Sequence, residues 1–291
     1  MQHISIVTDS TADLSPEQTG RYGIEVVPIN VIFGEDTFSD GVDLSAQEFF
    51  KKLTGGRELP KTSQPSPEAF REVYEKLAPK SDAILSIHIS GKLSGTLNSA
   101  EVASKMIDTR VITIDTKNAS QGIGLSVLAA AEAARREMSL EETVALTEKS
   151  IASTFSVFAV DTLEFLQRNG RIGKAASLLG SLLQIKPILC ADPEGMVAPY
   201  DKVRGRSQVI PSLVKAALHN VSPDQPVNLS VVHAAAEDRA RELLEELQAH
   251  YEVVDLHVGM VGPAIGAHIG PGAVGLMIQP SFEIMAGGIK S

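Results

Sequence analysis

The first half of the chain alternates short apolar runs with segments of helical periodicity. Five runs rich in β-branched residues predict strands, at residues 4–7, 24–32, 83–89, 111–114 and 155–160. Several of these runs are apolar throughout, so we expect strands that are buried on both faces. Strands that alternate with helices in this way predict a parallel sheet flanked by helices.

The helices between these strands have clear start signals. Ser15 and Ser66 each precede a proline, which places a capping hydroxyl directly before a proline at the first helical position. Ser139 and Glu142 have the spacing of a capping box. Further helices are predicted at residues 97–106 and 121–136, the second of which is rich in alanine.

Residues 28–60 follow a less regular pattern. Turns are predicted at 34–37 and 40–41, before a short helix from about Ser45. We interpret the segment as a ribbon-like insertion that covers the N-terminal domain, which then spans residues 1–160.

A polar segment begins after about Asp161, and we place a domain boundary there. The following elements predict a smaller C-terminal α/β domain over residues 161–291, with helices at 175–183, 208–219 and 237–250 and strands at 185–190, 229–233 and 253–258. Residues 256–278 have no formal charge and resemble a membrane span, but their glycines and prolines would interrupt a helix repeatedly. We therefore predict a strand, a tight buried loop and a second strand in that segment, with no stable insertion into a membrane.

Composition narrows the possible function. The 291 residues include 26 basic and 36 acidic side chains, a net charge of −10, which argues against a nucleic-acid partner. The hydrophobic share of 43% and the charged share of 21% are typical of a globular protein. The single cysteine, Cys190, excludes an intramolecular disulfide and a thiolate metal cluster. Since the N-terminus reads as a strand and not as a secretion signal, we expect a cytoplasmic protein.

Three polar clusters follow predicted strands or precede predicted helices, at residues 8–11, 61–66 and 90–96. Ligands bind at the carboxyl ends of parallel strands, and hydroxyls at the start of a helix favour an anion. The alternative is that these serines and threonines only cap helices. A phosphate-binding loop is not indicated, because Gly91 and Lys92 lack the first glycine and the spacing of that motif.

His268 is a lone polar residue in a glycine-rich, uncharged segment, so it needs a partner if it is buried. A ligand carboxylate or a backbone carbonyl would satisfy it. A triad of Ser94, His268 and Asp9 is conceivable and would make the protein a serine-dependent acyl hydrolase or thioesterase, although no G-x-S-x-G elbow occurs. No metal-binding spacing is present, and we expect no metal and no cofactor.

Five motifs in order resemble the DegV family over about residues 3–280. They are T-D-S-T at 8–11, T-S-Q-P-S at 62–66, S-G-K-L-S-G-T at 90–96, R-N-G-R-I-G-K at 168–174 and G-A-H-I-G-P-G-A-V-G at 266–275. The resemblance implies a two-domain α/β fold with a tunnel between the domains for a long-chain fatty acid such as palmitate. The aliphatic slot that such a ligand needs could be formed by Leu163, Phe165, Leu166, Leu178, Leu179, Leu182, Leu183, Ile185, Ile188 and Leu189. The alternative is that these residues form ordinary helix and strand core.

The resemblance also implies roles for individual residues. Thr62 and Ser94 would bind the carboxylate, with Gly95, Thr96 and His268 beside them. The protein would be a carrier without its own turnover that presents the fatty acid to an ATP-dependent kinase partner for acyl-phosphate formation. Arg204 would lie in a basic loop that faces that partner, and Arg171 and Arg206 would also contact the partner. A sugar-phosphate or nucleotide site is a third, weaker interpretation, because it rests on fold analogy alone.

Overall fold

The structure is a computed structural model that describes residues 2–56, 58–180, 185–282, 284–285 and 288–289. In chain order the strands are β1 (Ile4–Asp9), β2 (Glu25–Val27), β3 (Asn30–Phe33), β4 (Asp36–Ser39), β5 (Lys61–Ser63), β6 (Ala83–His88), β7 (Arg110–Asp115), β8 (Phe155–Ala159), β9 (Ile185–Ala191), β10 (Val197–Arg204), β11 (Val227–His233), β12 (Val253–Met260), β13 (Val274–Pro280), β14 (Ile284–Met285) and β15 (Gly288–Ile289). The α-helices are α1 (Pro16–Tyr22), α2 (Ala46–Gly55), α3 (Pro67–Leu77), α4 (Thr96–Ser104), α5 (Gln121–Arg135), α6 (Leu140–Ser153), α7 (Glu164–Arg168), α8 (Val209–Asn220), α9 (Glu237–Gln248) and α10 (Pro263–Ile269).

The chain divides into two units. The first comprises Met1–Asn30, Ser63–Ser153 and Phe282–Ser291, and the second comprises Val31–Thr62 and Thr154–Ser281. The predicted boundary after residue 160 and the predicted place of segment 28–60 differ from this division. Most of that segment belongs to the second unit, because the aromatic rings of α2 pack against α10 of the same unit. The second unit is therefore the larger one and not the smaller one.

A four-stranded parallel sheet with the order β2-β1-β6-β7 is the centre of the first unit. Every residue of β1 and β6 is buried, as expected for apolar strands covered on both faces. One face packs against α3 and α4 through Ile84 and Phe70, and the other packs against α5 through Leu85 and Ile123. The predicted parallel sheet flanked by helices is confirmed.

The second unit contains a six-stranded mixed sheet with the order β10-β9-β8-β13-β11-β12. Its neighbours are antiparallel except for β11 and β12, which are parallel. Helices α8 and α9 cover one face through residues such as Leu213 and Leu243. Strands β4, β3 and β5 form a separate three-stranded sheet in that order.

Three predicted elements need correction. The strand predicted at 24–32 is two strands in two sheets, since Pro28 lies between them and has no amide hydrogen to donate. The strand predicted at 155–160 is β8, which lies in the second sheet, antiparallel to β9 and β13. The helix predicted at 175–183 is a 3-10 helix at Gly173–Leu178, and residues 181–184 lie outside the described part of the chain.

The uncharged segment 256–278 also differs from the prediction. Between β12 and β13 it contains helix α10 and not only a loop, because Pro263 occupies the first helical turn, where its missing amide hydrogen costs nothing. Gly270 ends the helix with a positive φ of 69°. His268 therefore lies in the last turn of a helix. Across the described residues, no helix is both long and apolar enough to cross a membrane.

Candidate functional site

The loop after β6 turns tightly and leads into α4. The amides of Leu93 and Ser94 donate to the carbonyl of Ser90, and the amide of Ser90 donates to the carbonyl of Asn118. The hydroxyl of Ser90 accepts from the amide of Lys92 at 3.1 Å, so Ser90 serves the turn itself. This turn presents Ser94 at the beginning of α4, at the carboxyl end of the parallel sheet.

Ser94 and Thr96 form a pair of hydroxyls at that position. Their oxygens lie 2.8 Å apart, and the Thr96 amide donates to Ser94 Oγ at 3.3 Å. Thr96 is fully buried, whereas Ser94 is partly accessible. Ser94 is thus the member of the pair that can meet a ligand, and Thr96 lies behind it.

Gly95 lies close to the side chain of Gln64. A Cβ atom at this position would overlap the side-chain amide of Gln64, which donates to Ser99 Oγ of α4 at 3.3 Å. Gln64 of the polar cluster at 61–66 therefore packs against the cluster at 90–96 within the first unit. The hydroxyl of Ser66 accepts from the amide of Ala69 and caps α3, as predicted.

A chain of buried polar side chains links α3, β6 and β1. Tyr74 Oη lies 2.8 Å from Ser86 Oγ, Ser86 Oγ lies 2.6 Å from His88 Nε2, and His88 Nδ1 lies 2.9 Å from Asp9 Oδ2. All four side chains are fully buried. One proton assignment satisfies every atom of the chain: Tyr74 donates to Ser86, Ser86 donates to His88 Nε2, and His88 Nδ1 donates to Asp9.

Asp9 also fixes the backbone next to the Ser94 loop. Its Oδ2 accepts from the amide of Ile89 at 3.2 Å, and its Oδ1 accepts from the amide and hydroxyl of Thr11. Thr8 donates to the carbonyl of Ile87 at 2.7 Å. Most side chains of the T-D-S-T cluster thus bind the protein itself, so the structural interpretation of that cluster is the one supported.

Thr62 and His268 meet in the second unit. Thr62 Oγ1 in the middle of β5 lies 2.8 Å from His268 Nε2 in α10. His268 Nδ1 is buried and has no hydrogen-bond partner among the described residues. Burial lowers the pKa of His268 to about 4, and the positive charge of Arg171 acts in the same direction. The imidazole is therefore neutral at pH 7.

The R-N-G-R segment holds the helix that carries His268. Asn169 Nδ2 donates to the carbonyl of Ala267 at 2.8 Å, and Arg171 donates to the carbonyl of Asn169 at 2.7 Å. The Cβ position of Gly266 lies 2.7 Å from Phe49 Cε1, so α10 approaches α2 where only glycine fits. Sequence reasoning gave Asn169 no role, because a contact over 98 residues leaves no local signal.

The hydrolase interpretation finds little support in this geometry. The carboxylate of Asp9 accepts from His88, and no carboxylate in the described structure accepts from His268 Nδ1. A histidine with a pKa of about 4 is also a weak base for activating a serine at neutral pH. Within the described residues, no group of three or more His, Cys, Asp or Glu side chains could hold a metal ion.

The arginines expected to contact a partner have different surroundings. Arg204 is exposed on strand β10 and not in a loop, and it makes no ion pair within the described residues. Arg206 pairs with Asp161, whose carboxylate also lies 3.1 Å from Lys186 and 3.8 Å from Arg239. Lys186, Arg206 and Arg239 together carry more positive charge than the single Asp161 carboxylate neutralises. This region is therefore locally positive although the protein as a whole is acidic. Arg171 lies apart from them, beside His268.

The predicted aliphatic wall is placed only in part. Leu166, Ile188 and Leu189 are buried, and Ile188 belongs to the core beneath α8. Leu182 and Leu183 lie outside the described residues.

The chain matches known proteins along nearly its whole length. The family model described as "Uncharacterised protein, DegV family" matches residues 3–281. The chain belongs to the DegV family. A DegV domain-containing protein of Streptomyces coelicolor is 39% identical, and the match covers 96% of this chain and 99% of the relative.

Two solved structures of DegV proteins are similar to this one. The structure of a Thermus thermophilus DegV family protein, reported for its fatty-acid binding, has a TM-score of 0.92 and 38% identity and covers 97% of this chain and 100% of its own. DegV of Bacillus subtilis, described as a fatty acid binding protein, has a TM-score of 0.89 and 33% identity with the same coverage. The α/β fold expected from the DegV motifs, with a parallel sheet flanked by helices, is thereby confirmed.

The depressed pKa of His268 predicts a specific pH dependence of stability. An unfolded histidine titrates near its ordinary pKa of about 6.5, whereas the folded one stays neutral down to about 4. Below pH 6.5 the unfolded state binds the additional proton, so stability is lost as the pH falls. We expect the wild type to lose about 2 kcal/mol more unfolding free energy than His268→Gln between pH 7 and pH 5.

Urea denaturation at both pH values measures this difference. His233 and His257, whose pKa values are also lowered by burial, are common to both proteins and cancel in the comparison. Equal pH dependence in the two proteins would show that His268 is accessible to protons in the folded state.

Proposed function

We propose that this protein binds a long-chain fatty acid, such as palmitate, and that the hydroxyls of Thr62 and Ser94 donate to its carboxylate. Similarity to DegV proteins described as fatty-acid-binding supports this function. The observation that carries the residue assignment is that each of these two partly accessible hydroxyls has a polar partner in its own unit. Thr62 Oγ1 lies 2.8 Å from His268 Nε2, and Ser94 Oγ lies 2.8 Å from Thr96 Oγ1.

The direction of each hydroxyl proton depends on which group donates in these two hydrogen bonds. If the neutral imidazole carries its proton on Nε2, it donates to Thr62 Oγ1, and the threonine proton is directed to the ligand. If Thr96 donates to Ser94 Oγ, the serine proton is likewise directed outward. A hydroxyl polarised in this way is a good donor to an anion, because hydrogen bonds to a charged acceptor are about twice as strong as neutral ones.

Burial of the acyl chain supplies most of the binding free energy in this proposal. Burying ten to fourteen methylenes at about 0.8 kcal/mol each contributes on the order of 10 kcal/mol before the costs of ordering the ligand. The carboxylate then needs enough hydrogen bonds to stay ionised away from water. Thr62 and Ser94 each provide one such bond, and Gly95 allows the start of α4 to lie close to the Gln64 amide.

We expect the purified protein to contain about one fatty acid per chain, detected by mass spectrometry of an organic extract. In a fluorescent fatty-acid displacement assay, Ser94→Ala and Thr62→Val should each weaken binding by about 1 to 3 kcal/mol through loss of a charge-assisted hydrogen bond. Ser104→Ala at the other end of α4 and Thr54→Val in α2 are matched controls, since both hydroxyls bond only to backbone carbonyls of their own helices.

The controls should bind like the wild type. Absence of lipid from the extract, together with no increase in thermal stability on adding palmitate, would contradict fatty-acid binding itself. Lipid binding that survives both hydroxyl substitutions would contradict only the assignment of Thr62 and Ser94.

We further propose that the protein is a carrier with no turnover of its own and presents the carboxylate to an ATP-dependent fatty-acid kinase. In that reaction the carboxylate oxygen attacks the γ-phosphorus of ATP, the bond to ADP breaks, and an acyl phosphate forms. Arg204 supports a docking role because its exposed charge has no ion-pair partner in the described structure. Arg206 is assigned to the same partner surface, where positive charge would attract an acidic protein or its nucleotide, and Arg171 is proposed as a further partner contact beside His268.

Arg204→Ala should leave fatty-acid affinity unchanged and lower the rate of acyl-phosphate formation at least about tenfold when the cognate kinase and ATP are supplied, since tenfold corresponds to about 1.4 kcal/mol of lost contact. Arg241→Ala is the control, because Arg241 is also exposed but pairs within α9. A rate unchanged at both low and high salt would remove Arg204 from the docking surface.

A further inference from the structure

The two edges of the six-stranded sheet differ in how they are protected. Strand β10 forms one edge, and it carries Pro199, the charged residues Lys202 and Arg204, and a register irregularity between Pro199 and Asp201. Proline, charge and irregular register are the features by which edge strands avoid pairing with other chains. The β10 edge is therefore protected from pairing.

Strand β12 forms the other edge and lacks most of this protection. Its register irregularity lies at its first pairs with β11, and Asp255–Met260 follow in regular register. Asp255 is its one formally charged residue. Val254, Leu256 and Val258 are exposed by 53%, 41% and 45%. An apolar stripe along an unpaired edge is the arrangement that favours addition of another strand.

The sequence of β12 is complementary to itself. Residues 254–258 read V-D-L-H-V, which is symmetric in chemical character about Leu256. When two copies of this strand pair antiparallel around Leu256, each residue faces the one equally far on the other side of the centre. Leu256 then faces Leu256 of the second copy, and Asp255 faces His257 of the second copy.

We propose that β12 pairs with β12 of a second copy of this chain, so that the six-stranded sheets of two molecules become one continuous sheet. The pairing satisfies the outward backbone groups of both strands and covers the Leu256 and Val258 side chains on one face. On the other face it places a carboxylate opposite an imidazole. A two-fold contact of this kind needs only this chain, because the same patch serves both molecules.

Cysteine cross-linking tests the register directly. In a Cys190→Ser background, Leu256→Cys places two thiols opposite each other, with Cα atoms about 4.5 to 5.5 Å apart, within disulfide range. Val258→Cys is the matched control on the same stripe. In the proposed register its two copies are four residues out of alignment, about 13 Å apart along the strands, so they cannot form a disulfide.

We expect mild oxidation to give a disulfide-linked dimer for Leu256→Cys and none for Val258→Cys. Equal cross-linking at both positions, or none at Leu256→Cys, would overturn the proposed pairing. Sedimentation of the untagged protein over a range of concentrations provides a second measurement. The wild type should dimerise, and Leu256→Lys, which places two positive charges face to face, should shift the protein to monomer.

Val42→Lys is the control for the added charge, because Val42 is an apolar residue exposed by 73% elsewhere in the second unit. It should dimerise like the wild type. A wild type that stays monomeric at all concentrations, or a dimer that Leu256→Lys leaves intact, would show that β12 is not the contact.

Discussion

Replacing Asp9 with alanine is expected to lower the unfolding free energy by about 3 to 5 kcal/mol. The substitution removes the acceptor for His88 Nδ1, the amide of Ile89, and the amide and hydroxyl of Thr11, all of which are buried. A buried donor left without a partner costs about 1 to 3 kcal/mol, and several are created at once. Urea denaturation of the two proteins at pH 7 measures the difference.

Asp82→Ala is the matched control for the loss of an acceptor carboxylate. Asp82 accepts from the amide of His3 at 2.6 Å in an exposed position, where water can replace it. We expect a loss below about 1 kcal/mol for this variant. If Asp9→Ala were as mild as Asp82→Ala, the buried chain from Tyr74 to Asp9 would not stabilise the sheet.

The role of Asp9 shows what the sequence could not reveal. The T-D-S-T cluster follows a predicted strand and was interpreted as a candidate ligand site. Its partner His88 is 79 residues away, and the two meet only because β1 and β6 pair with Thr8 opposite Ile87. Local patterns predict a strand and its buried face, but the register between distant strands is set by tertiary packing.

Local signals predicted individual elements well and their sheet membership less well. The capping residues Ser15, Ser66 and Ser139 were predicted because the cap is encoded within four residues. The strand at Phe155–Ala159 was also predicted, but it was assigned to the wrong sheet. An apolar run predicts that a strand is buried, but it does not predict which neighbouring strands it pairs with.

The candidate site was predicted to a similar extent. A polar residue in an apolar segment predicts that His268 needs a partner, for which a ligand carboxylate or a backbone carbonyl was expected. The partner in the structure is a different group, the Thr62 hydroxyl at 2.8 Å. Helix α10, which positions His268, was missed because its glycines suggested a loop. Those glycines serve close packing instead, with the Cβ position of Gly266 only 2.9 Å from Phe50 Cζ.

Replacing the second glycine of the R-N-G-R-I-G-K motif, Gly173, is expected to lower the unfolding free energy strongly. Gly173 has a φ of +51°, and a Cβ atom there would overlap the backbone carbonyl oxygen of Val197. The left-handed conformation alone costs a residue with a Cβ about 1 to 2 kcal/mol, and forcing atoms into a packed region costs about 1 to 3 kcal/mol more. We expect Gly173→Ala to lower the unfolding free energy by about 2 to 5 kcal/mol.

Gly170→Ala separates the two causes, because Gly170 has a φ of +69° and no atom within 4 Å of its Cβ position. It should lose only the conformational part, about 1 to 2 kcal/mol. Urea denaturation of both variants measures the two losses of unfolding free energy, and equal losses would contradict the overlap with Val197.

Lys174 directly follows Gly173 and pairs with Asp192 at 2.5 Å. If the backbone moves to relieve the overlap at Gly173, that movement also disturbs this ion pair. A double variant with Lys174→Ala should therefore lose less than the sum of the two single variants.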